Sequence, residues 1–330
     1  MPSMNELEWI DARIKERASK LRELHLKARN PELPSIDAGK FGQQVTDLAK
    51  TLCLKVEREG PSRFTDSAVP VDVSMILRQL MWTYNLIRWI NADDTRFGNV
   101  GYLHPYSFVC LPLVRTMIDG FYNCTALLAD PSKSRTFRIS GYYRKREALR
   151  EDENRYSGDP LWEKDLTVRR QLIQDGMRAD GYTHSDLDDK KNKWPLLAQY
   201  LDMKPDTPHK QLLKKMTLGF WKEYSSISHA SFDGLVDLFP FVATDSLPHD
   251  KRDMVRDDVV HRYLAMHFGR TAGILLCLLT EIQHFFSFDG ADIDKRLTQI
   301  WSAMAPVYEV RELFDFRYKE LLKEPLPTEE

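Results

Sequence analysis

Arginines lie on two of the most apolar stretches of this chain, where they could grip an anion between helices. In VDVSMILRQLMWTYNLIRWI, Ser74, Arg78, Asn85 and Arg88 fall on one narrow stripe, at steps of four, seven and three. In LVRTMIDGFYNCTALLA, Arg115, Asp119 and Asn123 are spaced i, i+4, i+8 and share a face. Guanidinium groups inside a bundle need partners, because burying an unpaired charge is costly. Two readings follow: an internal ion-pair network that fixes helix register, or a pocket in which Arg holds phosphate or carboxylate bidentately. A third cluster, FWKEYSSISHASFDGL, sets Tyr224 one turn before Ser228 and Ser225 one turn before His229. A Ser–His pair could support nucleophilic chemistry if a third group oriented the imidazole. The chain has no G-x-S-x-G elbow, so close helix approach by Ser225 and Ser228 and a helix-end hydrogen bond from His229 account for these residues better.

Two copies of Arg-x-x-x-x-His occupy one helical stretch: Arg256 with His261 in RDDVVH, and Arg262 with His267 in RYLAMH. The first resembles the Arg-(Asn/Asp/His)-x-x-x-His motif of the HEPN ribonucleases. LVRTMIDGFYNCTALLADP and KEYSSISHASFDGL are similar to segments of an uncharacterised bacterial all-helical family grouped loosely with HEPN-like bundles. The resemblance implies a helical bundle in a bacterial cytosolic setting. It also implies a composite site across a homodimer, with metal-independent RNA cleavage in a defence or toxin–antitoxin system. Arg256 would then steady the charged phosphorane and His261 would move protons for 2′-hydroxyl attack.

Basic residues with interleaved aromatics form a further candidate, for RNA or another phosphate-bearing ligand. SKSRTFRISGYYRKREALR (132–150) holds seven Lys or Arg against Glu147 alone, among them Arg138, Arg144, Lys145 and Arg146, with Tyr142 and Tyr143 between them. Such a pattern suits phosphate contact with base stacking. It suits better a solvated helix face balanced by acids such as Glu151, Asp152 and Glu153.

The elements that must position these groups are all helices. Residues 5–29 carry a heptad-like stripe (Leu7, Ile14, Leu21 and Ala28, beside Ile10 and Leu24) that predicts an amphipathic N-terminal helix. Pro31, Pro34 and Gly39 mark a break after it, giving an N-terminal unit over 1–42 and a single large bundle over 43–330. Within the bundle, helical patterns run from about 43 to 59, from an N-cap at Asp72, and from near Pro105 with a kink at Pro112. Further patterns cover 132–152, 160–179, 194–202, 208–229, 250–286, 291–304 and 306–323. Sustained alternation and Asn-Gly turns are absent from the sequence, so the expected fold is an all-α multi-helix bundle.

Composition narrows the function classes. Hydrophobic residues make up 42% of the 330, enough for a large core and too many for wholesale disorder. The 47 basic and 49 acidic residues leave a formal charge of -2, which argues against bulk polyelectrolyte binding but not against a local phosphate site. Four separated cysteines predict neither a disulfide framework nor a zinc ribbon. Glu281-x-x-His284 is half of a di-iron carboxylate signature without its second half, and His249-Asp250 is an isolated pair, so neither metal nor cofactor is expected. No apolar run approaches a membrane span, and the expected setting is the cytoplasm. The leading expectation is a non-enzymatic interaction or regulatory protein with a buried Arg/Asp/His network that binds an anion. It would be a homodimer through its N-terminal helix or a bundle face.

Overall fold

The computed structural model describes residues 38–92, 111–218, 225, 249–289 and 291–322; side chains are described there except at 38–40, 90–92, 111, 190, 249–267, 291 and 308–309. The chain forms α1 (Ala38–Glu59), α2 (Ala68–Ala92), α3 (Leu111–Ala129), α4 (Ser134–Arg155), α5 (Pro160–Ala179), α6 (His184–Asp188) and α7 (Leu197–Asp202). It continues as α8 (Pro208–Met216), α9 (His249–Phe286), α10 (Ala291–Met304) and α11 (Tyr308–Leu313). A π turn over Phe314–Tyr318 leads to α12 (Lys319–Leu322). No strand occurs among the described residues, and the fold is all-α.

The second half of α9 is the centre of the bundle. Residues Thr271–Gln283 are buried on every side, which a helix adopts only when neighbours surround it. Helices α1, α2, α3, α10 and α11 pack against it. α1 offers Phe41, Val45, Leu48, Leu52 and Val56 at helical spacing, all buried. α3 crosses α2 where Gly120 meets the Leu80 side chain, and a Cβ at Gly120 would collide with that leucine. No described helix is long and apolar enough to cross a membrane.

Several element boundaries differ from expectation for physical reasons. The helix expected to start at Asp72 starts at Ala68, whose N–H donates to the Asp66 carboxylate at 2.8 Å. Asp66 thereby takes the capping role, and Pro70 falls in the first turn, where a missing N–H costs nothing. Asp72 instead binds Arg138 and Ser134. The break anticipated at Gly39 lies inside α1, which runs on through the 42/43 boundary. The heptad stripe of 5–29 lies outside the described residues, as does Pro105, while Pro112 stands in the described α3. The single helix expected over 306–323 is interrupted by the π turn. The widened turn accompanies Phe314 and Tyr318 both being buried while Arg317 reaches α9.

Beside this core, α4–α6 form a smaller apolar cluster of Ile139, Met177 and Leu187, flanked by Tyr142, Tyr143 and Tyr182. The loop after α7 is held by Lys210, whose Nζ donates to the carbonyls of Met203 at 2.7 Å and Pro205 at 3.1 Å. His209 sits between Tyr200 Oη, 2.7 Å from its Nε2, and Thr207 Oγ1, 3.0 Å from its Nδ1. Burial lowers the His209 pKa; nearby Arg317 and Lys210 act in the same direction and Glu281 against it. Between that lowered value and the ordinary histidine range, the unfolded chain binds a proton that the folded chain does not. Stability is therefore full above the ordinary histidine value and falls as pH drops below it. Urea midpoints measured from about pH 7.5 down to about pH 5 should decline, and His209→Gln should flatten that decline.

Candidate functional site

The polar stripe on α2 faces α1 along its whole length. Ser74 Oγ donates to Glu57 Oε1 at 2.5 Å, and Arg78 donates to the same oxygen from Nε at 3.0 Å and Nη2 at 2.6 Å. These bonds hold the Glu57 carboxyl below the usual carboxylate range. Further along, Thr46 Oγ1 lies 2.8 Å from the Gly42 carbonyl and 2.9 Å from Asn85 Oδ1. The partners rise along α2 as they fall along α1, so the two helices are antiparallel and each polar residue meets its counterpart.

Arg88 ends the stripe differently. Its side chain lies across the backbone of α1 at Gly42, where a Cβ would stand 2.5 Å from Arg88 Cδ and 2.6 Å from Nη1. Glycine is what permits this approach. Nη1 of Arg88 is buried and makes no hydrogen bond among the described residues. One turn earlier, the Tyr84 hydroxyl is also buried and without a hydrogen-bond partner among the described residues. Burial pushes the Tyr84 phenol well above its ordinary pKa, with Arg88 opposing in part, so the hydroxyl keeps its proton. The Tyr84 ring packs against Phe268 of α9, centroids 6.0 Å apart. A buried guanidinium nitrogen, on an otherwise half-buried arginine, and a buried hydroxyl, both donors, thus lie one turn apart where α1, α2 and α9 meet.

No protein-family model matches this chain, and neither a curated protein nor a solved structure matches it. The site therefore has to be read from its own geometry.

On α3, Arg115 and Asp119 are half-buried, and each interacts with other parts of the chain. Asn123 accepts the Trp194 indole N–H at 2.8 Å, while Tyr122 Oη donates to the Pro195 carbonyl at 2.6 Å. Asn123 therefore ties the 194–195 segment to α3. Ser225 is helical and half-buried; Tyr224 and His229 lie outside the described residues. Arg256 and His261 are on the described backbone of α9, seven residues or more before its first described side chain, Phe268, and their own side chains lie outside the described set.

The basic helix α4 is largely committed to carboxylates. Arg138 Nε donates to Asp72 Oδ2 at 2.9 Å, and its Nη1 is 3.3 Å from Asp180. Tyr142 Oη donates to Asp180 at 2.9 Å. Arg146 reaches Asp188 at 2.6 Å, and the Tyr143 ring lies within 5.6 Å of both the Arg146 and Lys193 cations. Arg135 and Arg150 pair with Asp186 and Glu147. Only Arg144 and Lys145, of the six residues singled out for nucleic acid, are exposed, and Arg144 donates to the Ser140 carbonyl. The balancing acids differ from those the sequence suggested: Asp152 and Glu153 turn to Arg169 and Arg170 instead.

This network docks α4 onto α2. Burial raises the Asp72 pKa, and Arg138 offsets only part of that. Arg138→Met should therefore cost about 2 kcal/mol in urea denaturation, by leaving a half-buried carboxylate without its cation. Lys145→Met should fall within about 0.5 kcal/mol of wild type.

Metal-binding chemistry finds no support in the placement of Glu281. Both carboxylate oxygens are engaged, by Arg317 Nε at 3.0 Å and Nη2 at 3.2 Å, with Tyr318 Oη at 3.1 Å. His284 is exposed. Cys53, Cys124 and Cys277 are buried free thiols whose pKa values burial raises, Cys53 to about 11, so they serve packing rather than nucleophilic chemistry.

Sequence reasoning placed Arg78, Asn85 and Arg88 on one face and missed what they face. Gly42, Thr46 and Glu57 are the counterparts, and Tyr84 the second donor. Tyr84 reads as a core aromatic; its one signal is that it precedes Arg88 by one turn.

Proposed function

We propose that this chain is a non-enzymatic regulatory helical protein that holds a small oxyanion, phosphate or carboxylate, where α1, α2 and α9 meet. The observation that supports it is the buried Arg88 Nη1, without an acceptor among the described residues, beside the equally buried Tyr84 hydroxyl. Buried polar atoms are nearly always paired, and a charged donor next to a neutral donor calls for an anionic acceptor. Arg78 differs, since Glu57 satisfies it from the neighbouring helix. The arginine supplies charge and directional N–H groups, the tyrosine a single O–H, and Gly42 the room for the guanidinium.

Isothermal titration of the full chain with inorganic phosphate, and separately with acetate, tests this reading. Binding of either that is lost in Arg88→Met is the expected result; no heat from any oxyanion would sink it. The ribonuclease reading predicts a different outcome. RNA would be cleaved in chelator by the wild-type chain and spared by His261→Ala, whereas an anion-binding regulator leaves RNA intact in both.

A further inference from the structure

A cavity of about 840 Å³ opens between the last turns of α9, the loop that follows, α10 and α12. That is the size of an ordinary small-molecule site. Its apolar wall is made by Phe288 and Leu297, both buried, with Leu321 and Leu322, both half-buried. Two buried polar residues, Thr280 and Gln283, also line it.

Thr280 has little left to offer a ligand. Its Oγ1 donates to the Leu276 carbonyl at 2.8 Å and accepts the Trp301 indole N–H at 3.0 Å. Gln283 is only half satisfied. The residue is 5% exposed, and its Nε2 donates to the Phe288 carbonyl at 3.2 Å. Its Oε1 is buried and meets no donor among the described residues. The bond to Phe288 fixes the orientation of the amide, because turning it over would set Oε1 against another acceptor. Buried amide oxygens are nearly always paired, so one left open at a cavity wall marks where a donor belongs.

Charge selects the kind of donor. Asp289 and Asp294, both exposed, line the cavity against Lys295 as the one Lys or Arg among its described lining residues. α9 also ends here, at Phe286, and the last turn of a helix presents partial negative charge. An anion is disfavoured at such a place and a cation favoured.

We propose that this cavity binds an organic primary amine in its ammonium form. The ammonium donates to Gln283 Oε1, Asp289 and Asp294 balance its charge, and its hydrocarbon body lies on the apolar wall. The proposal is independent of the site at Arg88. Thr280 stands twelve residues along α9 from Phe268, roughly 18 Å away, and the two sites favour ligands of opposite sign.

Isothermal titration of the full chain at about pH 7 is the test. The probes are hexylammonium and 2-phenylethylammonium, each beside its matched alcohol, hexanol or 2-phenylethanol. At least one amine should bind, about 10-fold or more tighter than its alcohol, since a charged donor makes the stronger hydrogen bond. Gln283→Leu should weaken that binding about 10-fold or more. Asp289→Asn/Asp294→Asn, at two exposed positions, should cut the amine's advantage over the alcohol about 3-fold or more. Asp315→Asn, an exposed carboxylate outside the cavity, should leave both affinities unchanged. Circular dichroism checks that each variant is folded, and the surface double variant keeps the test open if Gln283→Leu is not. Heat from neither amine would overturn the proposal. An amine that binds no tighter than its alcohol would overturn it too, as would one whose affinity survives both Gln283→Leu and the double variant.

Discussion

Arg317→Met should destabilise this protein by about 3–5 kcal/mol, one of the largest effects of any single substitution outside its apolar core. Glu281 sits on the buried half of α9 with a side chain only 9% exposed, and Arg317 meets both of its oxygens. Removing the guanidinium leaves a carboxylate buried with a single hydrogen bond, from Tyr318. The carboxylate's desolvation is then uncompensated, and that is what makes breaking one half of a buried pair so costly. The double variant Glu281→Leu/Arg317→Met should recover most of the loss, because a buried ion pair exchanged whole for apolar groups of similar volume is close to neutral. Urea denaturation of the two single variants and the double variant gives the coupling directly. A double variant no more stable than Arg317→Met alone would mean that Arg317 acts through packing rather than through Glu281.

Trp301→Ala should cost a comparable amount, about 3–5 kcal/mol, for a different reason. The indole is fully buried on α10 and packs against the rings of Phe314 and Tyr318, with centroids 5.3 and 5.2 Å away. Its Nε1 donates to Thr280 Oγ1 at 3.0 Å. Truncation opens a cavity between α9, α10 and the π turn, into which the Tyr318 ring cannot collapse without leaving Glu281. Trp301→Phe should be milder, by about half, since a ring remains. Thr280 keeps its own donor bond to the Leu276 carbonyl at 2.8 Å. Thermal and chemical denaturation of both variants check the order, and equal losses for Ala and Phe would show that the indole hydrogen bond outweighs the cavity.

Both effects concern the C-terminal wrap around α9, a region the sequence disclosed only in outline. Helical periodicity was legible there and elsewhere: Ala291–Met304 and Pro160–Ala179 coincide with the expected spans, and His249–Phe286 differs by one residue. Such long segments announce themselves because apolar residues at steps of three and four repeat over many turns. The π turn did not, since a widened turn is set by what Phe314, Arg317 and Tyr318 must reach on another helix. The same limit applied to the polar stripes. That Ser74, Arg78, Asn85 and Arg88 share a face follows from helix geometry alone. That Glu57 completes Arg78 while Arg88 crosses Gly42 depends on the antiparallel register of α1 and α2, which no spacing within α2 encodes. The basic helix α4 shows the opposite case. Its local charge excess was evident, but Asp72, Asp180 and Asp188 lie far from it in sequence, and local composition overstated how much positive charge remained open.

An exposed apolar row on α2 was legible yet hidden by its own neighbours. Val71, Met75, Trp82, Leu86 and Trp89 belong to a helix that is apolar around most of its circumference, which at first suggests burial on all sides. Only the packing of α1, α3 and α9 against the opposite faces shows which apolar residues the core takes and which it leaves.

The anion site separates from a purely structural arginine by the sign of one stability change. If Arg88 is a register-fixing group, its removal must destabilise the ligand-free chain. If it is a half-buried cation whose Nη1 awaits an anion, its removal relieves an uncompensated donor. The direct measurement is the Tm of the wild-type chain and of Arg88→Met, each with and without saturating inorganic phosphate. Phosphate should raise the wild-type Tm and leave the variant unmoved, while the phosphate-free variant should be as stable as wild type or more stable by about 1 kcal/mol. A phosphate-free Arg88→Met that melts well below wild type, with no phosphate response in either chain, would contradict it.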